Sequence, residues 1–317
     1  MKKILYINHS FSEKCGVYDL GRRHFDCISK IENYNFLYKE IKTIEEYKFF
    51  SKTEKPNAIL INWMPSLFHW TNRILKNKET KIFCIPHLVN PFNKDEYLNF
   101  LANHKNIFDY AIMLDPTSLN IDCFFKTDRP LINFESIHKI KNDIPTIGSF
   151  GFAFEHKRFD LLVTKVNFEF DNAIINFNIS EAHFNGDIKR LSRVIDACKS
   201  KNINNKIKLN FNTNFLSDFE LLKELNKNDI NCLFYEDQSS LGISSSLDYL
   251  VSAQKPIMLS FSKMFRSYSD NFPKYNISLK SVYDDFYNQQ NNCVNVYKNS
   301  FNKILNETKQ IFDRTLI

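Results

Sequence analysis

Along the whole chain, short runs rich in Ile, Phe and Tyr alternate with stretches in which apolar residues recur every three or four positions. The first pattern is that of strands buried on both faces and the second that of helices with one apolar side. The chain therefore reads as α/β, with parallel sheets covered by helices. In the first half the runs predict strands at 4–8, 36–38, 58–62, 82–86 and 110–114, with connections long enough for right-handed crossovers. A helix is expected over 20–28. Another, over 44–50, has a defined start, because Thr43 and Glu46 have the spacing of a capping box.

Residues 139–145 interrupt the alternation with charged and polar side chains ending in Pro145, which predicts a crossing between two domains. The pattern then restarts. Strands are predicted at 146–150, 173–177, 206–210, 232–235 and 257–260. Phe159, Leu162, Val163 and Val166 share one helical face, as do Ile188, Leu191, Ile195 and Cys198, and Ser217 with Glu220 forms a second capping box. No Gly or Pro follows Pro273, and Tyr297, Phe301, Ile304, Thr308 and Ile311 mark one side of a long closing helix. The expected organisation is two doubly wound Rossmann-like domains, 1–140 and 141–289, followed by a helix over 290–317. Ligands are expected in a central cleft between the domains, where strands end and helices begin.

The 317 residues suit two domains of roughly 150 residues each. Hydrophobic residues at 43% and charged residues at 25% exclude a disordered or fibrous chain. The 7 cysteines are scattered and include no C-x-x-C pair, so neither a disulfide framework nor a zinc site is signalled and a reducing cytoplasm fits. The net charge of +6 is not gathered into basic blocks, which argues against nucleic acid and for phosphorylated ligands or anionic head groups. No signal-peptide core is expected at the N-terminus, and no apolar run is long enough for a transmembrane helix. Only 6 glycines occur, so each one is worth examining.

Three stretches carry candidate chemistry. In the first, a strand runs through Asn8-His9-Ser10 into a loop holding Gly16, where the backbone would approach a phosphate or sugar at a helix start. It has neither G-x-G-x-x-G nor G-K-[ST], so neither a nicotinamide-binding domain nor a P-loop is supported, and a tight turn without ligand remains open. The second stretch runs from Tyr235-Glu236-Asp237 through Gly242 to Ser244, Ser245, Ser246 and Asp248. A strand delivering a polar loop, a glycine and a serine-rich helix start would offer N–H and hydroxyl groups to a diphosphate, with Asp248 accepting from ribose hydroxyls. A serine-rich cap with Asp248 complementing the helix dipole is the structural alternative. The third stretch is Gly151, Phe152 and the basic pair Lys157-Arg158, which taken alone reads equally as an ordinary solvated helix start.

Here the sequence resembles a known group. Gly242-Ile-Ser-Ser-Ser-Leu-Asp-Tyr, followed by Lys255-Pro256-Ile257, looks like the donor-binding helix of GT-B glycosyltransferases, the nucleotide-sugar-dependent group that includes family four. By this resemblance Asp248 stands at the acid that holds the ribose. The first acid of the pattern falls on Ser240, with Glu236 or Asp237 as its substitute. Thr146-Ile-Gly-Ser-Phe-Gly-Phe, followed by Glu155-His-Lys-Arg-Phe, is similar to the strand and loop that open the donor domain. There Lys157 matches the basic residue on the diphosphate, and Arg158 stands in for the arginine replaced by Ser149. Ile82-Phe-Cys-Ile-Pro-His87 resembles the strand ending in a histidine on the acceptor side, and Asn62 with Trp63 is a weaker match.

The resemblance implies a first domain on the acceptor side, a second that binds the nucleotide sugar, and a last helix that packs back on the first. It also implies catalytic roles for His87 and Lys157, and nucleotide-sugar contacts from Gly16, Lys157, Arg158, Glu236, Gly242, Ser244, Ser245 and Asp248. The expected reaction transfers a sugar from a nucleotide diphosphate sugar to a glycan or lipid-linked acceptor, with retention as in family four. No cofactor or metal is expected, since no Asp-x-Asp triplet occurs. The expected place is the cytoplasm, with peripheral association at the inner face of the membrane left open. The departure at Ser240 leaves a second reading, a non-catalytic GT-B-like chain that binds a sugar nucleotide or glycan.

Overall fold

The computed structural model describes residues 1–10, 15–77, 79–87, 94–119, 121, 123–136, 140–181, 189–237 and 242–316. Ser240 lies outside these residues. The chain divides into two units, Met1–Leu131 with Asn299–Ile317, and Ile132–Lys298. The change falls at Leu131, whose carbonyl accepts from Cys27 Sγ, and Ile132, whose N–H donates to Ser252 Oγ.

In the first unit six strands, β1 (Lys2–Asn8), β2 (Tyr34–Glu40), β3 (Ala58–Trp63), β4 (Lys81–Pro86), β5 (Tyr110–Met113) and β6 (Phe124–Lys126), form one parallel sheet in the order β2-β1-β3-β4-β5-β6. The helices are α1 (Gly16–Ile28), α2 (Ile44–Glu54) and α3 (Lys94–His104). Strands β1, β3 and β4 are buried almost throughout, as a parallel strand covered on both faces must be. Alternate residues serve opposite faces. Leu5, Ile7, Ile59 and Ile61 pack with Tyr47 of α2 and Phe100 of α3, whereas Ile4, Tyr6, Leu60 and Phe83 pack with Leu20 and Ile28 of α1.

In the second unit β7 (Thr146–Phe152), β8 (Ala173–Ser180), β9 (Ile207–Asn212), β10 (Ile230–Leu233) and β11 (Ile257–Leu259) form a parallel sheet in the order β11-β10-β7-β8-β9. Its helices are α4 (Phe159–Glu169), α5 (Arg190–Lys201), α6 (Asp218–Asn226), α7 (Ser245–Ala253) and α8 (Leu279–Asp284). Both expected capping boxes are present. Thr43 and Ser217 each accept from the third helical N–H while Glu46 and Glu220 reach back.

The closing helix α9 (Phe286–Thr315) is 30 residues long. Its last turns belong to the first unit, where Phe312 is fully buried against Tyr34, Phe36 and Phe83 and Tyr34 Oη donates to Asp313 at 2.6 Å. Among the described residues no helix is long and apolar enough to cross a membrane. Strand β6 was not expected, because three residues are too few to show a period. Helix α1 starts four residues before the expected 20–28, so Gly16 is its first residue rather than part of the loop. Cys15 is extended and its carbonyl already accepts from Asp19 N.

Phe312→Ala removes three ring contacts at once and leaves a cavity under the first sheet. Chemical denaturation should show a loss of about 3–5 kcal/mol.

Candidate functional site

Each sheet has one place where the strand order reverses, and in open α/β sheets ligands bind at the carboxyl ends of the strands beside that switch point. In the first unit it lies between β1 and β3, and in the second between β7 and β10.

At the first switch point side chains from the carboxyl ends of three strands meet in one hydrogen-bonded network. Asn62, the next-to-last residue of β3, donates from Nδ2 to Asn8 Oδ1 at 2.9 Å and to the Val17 carbonyl at 2.8 Å. Asn8, ending β1, donates to the Tyr18 carbonyl at 2.9 Å and to Tyr38 Oη at 3.1 Å. Carbonyl partners can only accept, so both amides are oriented without ambiguity. Asn62 Oδ1 is then an acceptor, and it lies 2.7 Å from His87 Nε2, at the end of β4. The imidazole therefore donates from Nε2 and carries its lone pair on Nδ1. Burial, then the charge of Arg129, then His9, lowers His87 to about 4, so the ring is neutral near pH 7.

His24, fully buried beside Tyr6 Oη at 3.2 Å, is lowered to about 3, first by burial and then by His87. Helix α1 crosses this network closely enough that a Cβ at Gly21 would overlap the amide of Asn62. Trp63, by contrast, is buried in the core against Phe100 and Phe108 and does not reach the network. Side chains alternate along a strand, so Asn62 and Trp63 must point to opposite faces.

At the second switch point the next-to-last residue of β7 is Gly151, whose φ of 136° lies in the region that favours glycine. A Cβ there would overlap Lys157 Nζ, so the glycine lets the ammonium rest on the strand end. The same ammonium lies 5.1 Å from the ring centroid of Tyr235 and 5.9 Å from that of Phe152. Tyr235 follows β10 and donates from Oη to Ser246 Oγ at 2.9 Å, in the first turn of α7. Lys157 and the serine-rich helix start, about 90 residues apart in sequence, are thus brought onto one tyrosine.

Arg158, left-handed at φ 47°, holds Asp160 at 3.1 and 3.2 Å and Glu236 at 2.6 Å. The Asp160 carboxylate first, and Glu236 after it, raise its pKa further. Arg158 and Glu236, both expected to touch ligand, here touch each other. Ser244 caps α7 by accepting from Ser246 N at 3.3 Å, and Ser245 is the half-buried first helical residue. A Cβ at Gly242 or Gly16 would meet nothing within 4 Å, so space inside the protein does not require glycine at either position. Asp248 is fully buried and engaged with protein groups, not turned to an open side of the helix. Leu247, Leu250, Val251 and Ser252 are buried too, so α7 is covered on more than the one face expected from its leucines.

No protein-family model matches the chain, and no curated protein matches it. The likeness to solved structures, in contrast, spans the whole molecule. HepE of Anabaena, solved with UDP-glucose, has a TM-score of 0.67 at 9% identity, over 99% of this chain and 99% of that chain. A glycosyltransferase from Rickettsia africae ESF-5 has a TM-score of 0.63 at 10% identity, over 99% of this chain and 97% of that one.

The fold is GT-B. The expected architecture of two Rossmann-like sheets and a closing helix is the observed one. The N-terminal domain of the Candida albicans trehalose-6-phosphate phosphatase also resembles the chain, with a TM-score of 0.59 at 10% identity over 100% of this chain and 96% of that one. One GT-B frame therefore accommodates proteins of different names, and chemistry must be argued from side chains. Sequence reasoning missed Asn8, His24, Arg129 and the role of Tyr235. Tyr235 ends the run Cys-Leu-Phe-Tyr and looks like core, and only its position beside Lys157 and Ser246 sets it apart.

His24 and His87 are held neutral in the folded protein, whereas in the unfolded chain they take up protons below about pH 6.5. Their contribution to stability is complete above that value and is lost as pH falls towards about 4 for His87 and about 3 for His24. Urea midpoints measured at decreasing pH should fall over this window. The fall should be shallower in a variant carrying both His24→Gln and His87→Gln.

Proposed function

We propose that the chain is a glycosyltransferase that moves a sugar from a nucleotide diphosphate sugar to a hydroxyl of a glycan or lipid-linked glycan precursor. The observation that carries this reading is Lys157, resting on Gly151 at the switch point of a Rossmann-order sheet, beside the N-terminus of α7. Cationic and N–H groups so placed oppose the charge that grows on a leaving diphosphate. The likeness to HepE, solved with UDP-glucose, and the two sequence stretches that resemble family four support the same donor class.

In the proposed reaction the acceptor hydroxyl attacks the anomeric carbon and the bond to the diphosphate breaks. The leaving diphosphate takes the acceptor proton, with the configuration retained. His87, neutral and with its Nδ1 lone pair fixed by Asn62, accepts a hydrogen bond from the sugar or acceptor. Gly16 and Gly242 let ligand approach the backbone, and the resemblance assigns Asp248 to the ribose. A metal is not needed in this scheme, because Lys157 and the helix start supply the charge compensation. Peripheral association with a membrane surface follows if the acceptor is lipid-linked.

Transfer from a panel of radiolabelled nucleotide sugars, with and without EDTA, tests the proposal. Turnover that survives EDTA is the expected result, and turnover that EDTA abolishes refutes the metal-free scheme. One arrangement favours a second reading, a chain that binds without turnover: one carboxylate oxygen of Glu236 is tied to Arg158, and Asp248 is fully buried. Tight binding across the panel with no transfer or hydrolysis is its signature.

Lys157→Ala should weaken nucleoside diphosphate binding by about 1.5–3 kcal/mol, the range for a hydrogen bond to a charged group, with little change in melting temperature. Calorimetric titration measures it. Gly242→Ala meets no steric obstacle inside the protein. It should therefore leave stability within about 1 kcal/mol while lowering the same affinity.

A further inference from the structure

We infer that Tyr235 is a positioning residue that joins Lys157 and the first turn of α7 into one anion-binding unit, an inference that rests on the nucleotide-diphosphate site proposed above. The residue is fixed from several sides. Its ring packs 4.9 Å from Phe265 and meets the His156 ring edge-on at 6.0 Å, and its carbonyl accepts from Ser260 Oγ at 2.6 Å. The next residue, Glu236, donates its N–H to the His156 carbonyl at 2.7 Å, which ties the segment after β10 to the one before Lys157. Only 2% of Tyr235 is exposed. A lysine is a point charge on a flexible stem, and ordering it for a ligand costs side-chain entropy.

An aromatic face attracts the ammonium without offering it a hydrogen-bond acceptor, so the ring restrains Lys157 and leaves its N–H groups to an anion. A carboxylate in the same place would neutralise it, as Asp160 and Glu236 do for Arg158. The phenol acts on the other half of the site. Because Tyr235 Oη donates to Ser246 Oγ, the serine hydroxyl keeps its own hydrogen to donate onward. A phenylalanine would preserve the first effect and lose the second.

Two double-mutant cycles, read by calorimetric titration with inorganic pyrophosphate and with a panel of nucleoside diphosphates, test this. Lys157→Ala should lower affinity about tenfold or more in the wild-type and Tyr235→Phe backgrounds, but less than about threefold in Tyr235→Leu. Tyr235→Phe should itself cost about three- to tenfold, and that loss should vanish in a Ser246→Ala background. A purely structural role would give additive losses, and additivity in both cycles overturns the inference. Should Tyr235→Leu fail to fold, the Phe and Ser246 cycle decides alone. Wild type that binds pyrophosphate but no nucleoside diphosphate refutes the glycosyltransferase reading and leaves Tyr235 to be judged by the pyrophosphate cycles. Nucleoside diphosphate binding with additive cycles refutes Tyr235 alone, and wild type that binds neither probe refutes both.

Discussion

A parallel strand covered by helices on both faces holds a polar side chain only where that side chain gains a partner, because each one loses water. Polar chemistry is driven to the strand ends. In this protein β1 runs apolar from Ile4 to Ile7 before Asn8, β3 from Ala58 to Ile61 before Asn62, and β4 from Ile82 to Pro86 before His87. In the second unit Ser149 of β7 and Asn231 of β10 are buried on protein partners, Gly151 comes at the carboxyl end of β7, and Tyr235 comes two residues after β10. The reversal of strand order then decides which ends become neighbours. That single constraint gathers the residues of both candidate sites.

The two strand-end clusters handle charge in opposite ways. In the first unit His24 and His87 are desolvated and neutral, and the Asn62 amide orients His87, which is therefore defined by its tautomer rather than by a charge. In the second unit a lysine is held by aromatic rings and a glycine, while the neighbouring arginine is compensated by two carboxylates. A positive charge restrained by a ring remains available to a partner. One matched by carboxylates is largely spent.

Several of these features could be read from the chain because they depend on neighbours within a few residues. The capping boxes at Thr43 and Ser217 are local hydrogen bonds, and the buried strands are runs whose composition suffices. The pairing of Gly151 with Lys157 also spans a short stretch, and its two residues stood out as candidates. Other features were illegible for equally physical reasons. Strand β6 is too short to carry a period, Trp63 faces the core because side chains alternate, and α7 is covered on more sides than its leucines indicate.

Through the resemblance the sequence singled out Lys157 and His87, and by itself it determined the class, the alternation of strands and helices and the capped starts of α2 and α6. Such properties follow from periodicity, capping and composition, which act over a turn or a strand. Tertiary structure alone decided that Asn62 would orient His87, that Arg158 would be occupied by Asp160 and Glu236, and that Tyr235 would stand between Lys157 and Ser246. Each of those contacts depends on which strands lie side by side. That order is set by how whole sheets bury their faces, and no local stretch of the chain encodes it.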